Sequence, residues 1–183
     1  QFDTMYHEHL RTYSLRSLIK LFQPYDFTIT DVERGSRYGG NIRIHASRGK
    51  GRPTGPNVAQ LLALEKNAGL DRLETYRKFA ASAQKARFDF MKFLIKGKKS
   101  GLSIVGKSCP GRASTLLNYC GVDKELMPYL AELPTSLKLG MYLPGTHIPV
   151  IDEGILLKTQ PDFIVLLAWH YAEFIMRRLK SQG

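Results

Sequence analysis

At 183 residues, with 43% hydrophobic and 23% charged side chains, the chain has the means to bury a core, which excludes a disordered or low-complexity segment. Its 27 Lys and Arg against 16 Asp and Glu leave a net charge of +11, so an anionic partner is expected: nucleic acid, an acidic membrane, a phosphorylated small molecule or an acidic neighbouring domain. Only Cys109 and Cys120 are present, without a CxxC pair, which argues against a disulfide scaffold or zinc ribbon and suits a cytoplasmic protein.

In chain order, residues 1–14 (QFDTMYHEHLRTYS) are dense in polar chemistry, and the missing initiator Met reads as a cut from a longer chain. Ser14 is a plausible N-cap for an amphipathic helix with Leu15, Leu18, Ile19 and Phe22 on its apolar side. Strands are predicted over Phe27–Arg34 and Asn41–Ala46, forming a hairpin around Gly39–Gly40 with one wet face. Residues 47–56 (SRGKGRPTGP) read as a mobile loop. Asn57 is placed as the cap of one helix and Asp71 of a second running to about Lys96, whose apolar positions from Leu73 to Leu94 keep a 3–4 spacing.

The most informative stretch is Gly101–Gly121, GLSIVGKSCPGRASTLLNYCG. Leu102, Ile104 and Val105 predict a buried strand; Gly106, Pro110 and Gly111 break it; a helix begins at Arg112 and stops at Gly121. A strand, a glycine turn and a helix together present free N–H groups at the carboxyl edge of a parallel sheet, and Lys107 and Arg112 add charge, so a phosphate site is expected there. The alternative is a turn that is glycine-rich for packing alone. Beyond it, strands are expected at Leu126–Leu133, after the Met141–Val150 loop, and at Phe163–Leu167. A last helix from Trp169 is expected to bury Tyr171, Phe174, Ile175, Met176 and Leu179. The alternation predicts one α/β domain: a Rossmann-like, three-layer fold with a mostly parallel sheet, an antiparallel hairpin at one end and helices on both faces.

Among residues able to carry chemistry, His7 and His9 flank Glu8. They suit acid–base work, with metal binding or mere solvent exposure as the alternatives. His147, Trp169 and His170 are expected with Lys107 and Arg112 around one crevice, the indole lying against a base or sugar.

With these residues laid out, the chain resembles the C-terminal substrate domain of bacterial sugar C-methyltransferases. The likeness rests on Tyr6-His7-Glu8-His9-Leu10, on Gly39-Gly40-Asn41-Ile42-Arg43, on Thr115-Leu116-Leu117-Asn118-Tyr119-Cys120-Gly121, and on Tyr142-Leu143-Pro144-Gly145-Thr146-His147-Ile148-Pro149. The resemblance implies a nucleotide-linked keto-deoxysugar as substrate. It also implies His9 as the base, Tyr6 and Glu8 as its orienting or enolate-stabilising neighbours, and S-adenosylmethionine as methyl donor in the full-length enzyme. Residues 1–14 become a catalytic arm. Gly106, Lys107, Arg112, Thr115, Asn118, His147, Trp169 and His170 are assigned to the nucleotide-sugar half. The zinc-binding and donor-binding parts that precede this region in the family are absent from the 183 residues, so neither a bound cofactor nor a metal is expected on them. Two rivals remain at this point: a basic nucleic-acid-binding module and an NAD-type oxidoreductase domain built on the central turn.

Overall fold

The computed structural model describes residues 2–6 and 9–181. Two compact units share the chain, residues 1–10 with 82–183 and residues 11–81. The boundary falls inside a continuous helix and beside Leu10. Among the described residues no helix is long and apolar enough to cross a membrane.

In the smaller unit, helix α1 (Leu15–Phe22) starts at Ser14, which exchanges hydrogen bonds with Ser17 in a reciprocal cap. Its free N–H groups at Leu15 and Arg16 are taken by the Glu65 carboxylate from helix α2 (Pro56–Asn67), negative charge set against the positive end of a helix. Strands β1 (Phe27–Gly35) and β2 (Asn41–Arg48) pair antiparallel along their whole length. Their apolar positions Ile29, Val32, Ile42 and Ile44 pack against Leu15, Val58 and Leu61 of the two helices. The hairpin is therefore a separate two-stranded sheet rather than an extension of the parallel one. Its apolar face is covered by α1 and α2, leaving nothing to gain by joining a second sheet.

The glycine-rich loop is tied at both ends, Gly49 N–H donating to Asp26 O and Gly55 N–H to Thr30 O, each at 2.7 Å. Gly55, not Asn57, caps α2; Asn57 lies in the first turn and its amide donates to Asp31 at 3.1 Å. Asp71 sits ahead of helix α3 (Leu73–Lys99) and pairs with Arg16 at 3.1 Å instead of capping it.

In the larger unit, strands β3 (Ile104–Lys107), β4 (Leu130–Glu132), β5 (Val150–Asp152) and β6 (Phe163–Leu166) form a parallel sheet in the order β5-β4-β3-β6. Successive side chains face opposite ways. Ile104, Leu130 and Val150 therefore point to one face, with Leu94 of α3 and Ala113 and Leu117 of helix α4 (Gly111–Cys120). Val105 and Ala131 point to the other, with Leu156 of helix α5 (Ile155–Thr159) and Leu179 of helix α6 (Ala172–Ser181). This is the expected three-layer α/β arrangement.

Two glycines permit close approach. A Cβ at Gly97 would stand 2.4 Å from Ile104 Cδ1, so glycine lets α3 lie on β3. One at Gly106 would stand 2.5 Å from Leu130 Cδ2 and 2.9 Å from the Met127 sulfur. Gly106 is thus a packing residue inside β3, not part of a phosphate loop. Gly106→Ala is expected to lower stability by about 1–3 kcal/mol by overpacking, read as a lower midpoint in urea.

Two apolar faces differ from expectation. The Leu73, Tyr76 and Phe79 part of the α3 stripe stays exposed, and only Leu94 and Gly97 of that helix are buried. α6 buries none of its residues completely, and Tyr171, Phe174 and Met176 are exposed. Periodicity reports an apolar face, not whether anything covers it.

Candidate active site

The strand order reverses between β3 and β6, because the chain leaves β3 in one direction for β4 and β5 and returns to its other side for β6. Ligands of open α/β sheets collect at such a point, beyond the carboxyl ends of the strands. A cleft of about 520 Å³ lies there, lined by Lys107 and Ser108 after β3, Leu133 after β4, Ala168 after β6, and Phe174 and Ile175 of α6, among others.

The charge expected at this edge is present but internally compensated. Lys107 is 3% exposed; its Nζ lies 2.9 Å from Glu153 Oε2 and donates to Ala131 O at 3.3 Å. Glu153 also pairs with Arg178 of α6. Lys107 shares its strand face with Val105, so it points toward α6 and forms the floor of the cleft. In the turn that follows, Cys109 N–H donates to one Glu132 oxygen at 2.8 Å, and Leu133 N–H, just after β4, donates to the other at 2.9 Å. A carboxylate of the chain itself thus occupies part of the predicted anion site. Burial pushes the Cys109 and Cys120 thiols up, so both stay protonated and inert.

The amino-terminal arm lies along α4. Phe2–Thr4 make one 3₁₀ turn, and the Phe2 ring packs on Tyr119 with centroids 5.1 Å apart. Asp3 is buried; its Oδ2 accepts from the Trp169 indole N–H at 2.8 Å and lies 3.8 Å from Arg112 Nη1. The Arg112 guanidinium in turn covers the Trp169 ring at 5.4 Å. Thr115 Oγ1 donates to Met5 O at 2.7 Å. These ties bring the Tyr6 ring over the start of α4, where a Cβ at Gly111 would be 3.4 Å from Tyr6 Cε2.

His9 stacks on that ring with centroids 4.3 Å apart. Its Nδ1 is 3.2 Å from Thr4 O, and its Nε2 is 3.2 Å from Tyr6 Oη. A carbonyl only accepts, so Nδ1 carries a proton; in the neutral form of the ring Nε2 then holds the lone pair that receives the Tyr6 O–H. Nε2 is thereby set beside the first turn of α4, at the carboxyl rim of the sheet. His7 and Glu8, between Tyr6 and His9 in the sequence, lie outside the described residues.

Arg112, Thr115, Trp169 and His170 thus gather around the arm with Tyr6 and His9, whereas Lys107 forms the cleft floor and Gly106 belongs to the core. Asn118 and His147 lie elsewhere. The Asn118 amide donates to Ser114 O at 2.8 Å and Pro144 O at 2.9 Å, pinning the Pro144–Gly145 turn to the end of α4. His147, at φ +57°, flanks a groove with Lys124, Tyr142 and Pro149. That groove lies where β4 and β5 begin, on the amino side of the sheet, so His147 does not share the crevice expected for it. Trp169 spends its indole N–H on Asp3 and one ring face on Arg112 rather than standing open for a base or sugar.

Asp3, Glu153 and Arg178 had not been singled out in the sequence. The available signal was the buried charge itself: a lysine ending a central strand and an arginine opening a helix each demand a carboxylate.

His170 contacts the rings of Trp169 and Tyr171. Burial, then the Arg112 charge, holds its imidazole below the usual histidine value of 6.5, against a smaller opposing pull from Asp3. A group depressed in the folded state binds its proton more readily when unfolded, so its contribution is intact at neutral pH and is lost as pH falls through and below about 6.5. His170→Asn is expected to flatten the fall in melting temperature between pH 7 and 5.

Residues 36–182 match the family described as C-methyltransferase C-terminal domain. The chain is also 33% identical over 182 residues to the C-methyltransferase NovU of Streptomyces niveus, a match covering 99% of this chain and 43% of that protein. The chain therefore spans less than half the length of this curated relative. With the family matched over most of this chain and the relative aligned over 99% of it, the chain belongs to the C-methyltransferase C-terminal domain family.

Proposed function

We propose that this chain is the substrate-binding and base-supplying domain of an S-adenosylmethionine-dependent C-methyltransferase acting on a nucleotide-linked keto-deoxysugar. The observation that carries the reading is the His9 imidazole, held by Thr4 O and Tyr6 with Nε2 as its acceptor nitrogen beside the first turn of α4. A carbon next to a ketone loses its proton to such a base. The C–H electron pair becomes an enolate, and the proton goes to Nε2. The Tyr6 phenol, released from Nε2 as substrate enters, donates to the enolate oxygen, and Glu8 shares in this step as the resemblance implies. The cleft over Lys107 and the region around Arg112, Thr115 and His170 take the nucleotide-sugar half.

S-adenosylmethionine would supply the methyl group. The β3–α4 turn does not fit it: one Glu132 oxygen is held by Cys109 N–H of that turn and the other by Leu133 N–H after β4, where a nucleoside's ribose would need a free carboxylate. The donor is assigned instead to the zinc-binding and donor-binding parts of a longer enzyme.

A ligand that binds only the folded state raises its melting temperature, by about 2.7 kcal/mol of stability at a hundredfold excess over Kd. A nucleoside-diphosphate keto-sugar is expected to raise that of this chain, with S-adenosylmethionine and NAD leaving it unchanged. Stabilisation by NAD alone, or by none of the three, would overturn the reading.

A further inference from the structure

We infer that Asp3 is a positioning residue for the His9 base, acting through a latch made with Trp169 and Arg112. The inference rests on the reading of His9 as the base, but its structural half stands apart from that reading.

Asp3 is 7% exposed and Arg112 is 5% exposed. A carboxylate so buried is costly unless it is hydrogen-bonded and charge-compensated. The indole N–H of Trp169 provides the hydrogen bond at 2.8 Å. Arg112 provides the charge at 3.8 Å, too long for a hydrogen bond, and its Nη1 finds no hydrogen-bond partner among the described residues. Both partners stand on rigid elements. Trp169 follows β6, whose carboxyl end is held by Leu167 N–H donating to Lys107 O at 3.0 Å. Arg112 lies in the first turn of α4.

The path from this latch to the base is short. Asp3 fixes the 3₁₀ turn Phe2–Thr4, and the next carbonyl in that turn, Thr4 O, is the one that accepts His9 Nδ1–H. His9 is held within reach of it by its own N–H, which donates to Tyr6 O at 2.7 Å. The Asp3 side chain therefore sets the Thr4 carbonyl, the carbonyl sets which imidazole nitrogen carries the proton, and that leaves the lone pair on Nε2. An imidazole released from this acceptor takes up the tautomer mixture of free histidine, in which Nε2 carries the proton in the larger share and cannot act as a base.

The test uses the 183-residue chain labelled with ¹⁵N at histidine, at a pH where His9 is neutral. The wild type is expected to show a protonated Nδ1 and a bare Nε2 at His9. Asp3→Leu, which removes the acceptor, and Trp169→Phe, which removes the donor but keeps a ring, should both shift His9 toward the Nε2–H form. Both should also raise amide exchange at Met5 and His9 by about tenfold or more. Trp169→Phe leaves the Asp3 charge opposite Arg112 in place, so it reads the latch even if Asp3→Leu loosens the fold. A wild-type His9 in the Nε2–H form, or a tautomer unchanged in Trp169→Phe, would overturn the inference. The same samples, given a nucleotide-linked keto-sugar in D₂O, should lose deuterium incorporation through kcat with KM little changed. A wild type that shows the tautomer and its loss in the variants, but never incorporates deuterium, would leave the latch standing and sink His9 as base.

Discussion

Glu153→Ala should destabilise the larger unit by about 3–5 kcal/mol, the usual cost of removing one partner of a buried ion pair. Lys107 and Glu153 are only 4% and 7% exposed in their side chains, and Arg178 reaches the same carboxylate from α6. Alanine would strand the Lys107 ammonium at the carboxyl end of the central strand, with the Ala131 carbonyl as its one remaining acceptor among the described residues. Urea unfolding at neutral pH measures the loss. The double variant Lys107→Met with Glu153→Leu should recover most of the loss, because two apolar side chains of similar volume can replace a buried pair at little cost. Equal loss in the single and double variants would show that the cleft floor depends on packing rather than on charge.

His9→Gln should reduce deuterium incorporation from D₂O, at the carbon next to the ketone of a nucleotide-linked keto-sugar, by about 10²–10⁴-fold, the range a positioned general base contributes. Glutamine retains polar atoms but has no nitrogen lone pair able to take up a proton at neutral pH. Because the loss lies in the proton transfer, kcat should carry it and KM should move little. Tyr6→Phe removes the hydroxyl that bonds Nε2 at 3.2 Å while keeping the ring over Gly111. A smaller fall of about tenfold is expected there, the worth of one hydrogen bond. Nuclear magnetic resonance of the sugar resolves the exchanging position directly. An unchanged rate in His9→Gln would remove His9 from the chemistry.

The central unit was readable because local signals agreed. β-branched residues at Ile104 and Val105, breakers at Pro110 and Gly111, and a left-handed glycine at Gly121 all indicate the same strand, turn and helix, and the helix does end at Gly121 with φ +74°. Ser14 was readable for the same reason, since its cap is completed three residues away by Ser17. The hairpin followed from its alternation and the Gly39–Gly40 pair. Its separation from the parallel sheet did not, because alternation shows that a strand has an apolar face but not which helices will cover it.

The site divides along the same line. The arm sequence Tyr6-His7-Glu8-His9 carried its own chemistry, and the resemblance assigned its roles. The amino acid sequence by itself determined the element types, the α/β class, the positive charge and the presence of a candidate base. Tertiary structure decided which charges remain free and where the base points. Lys107 meets Glu153 across 46 positions of chain, and Asp3 meets Trp169 across 166. No local pattern encodes such pairs, because they form only when the sheet closes and a buried charge must find its partner among whatever the fold brings near.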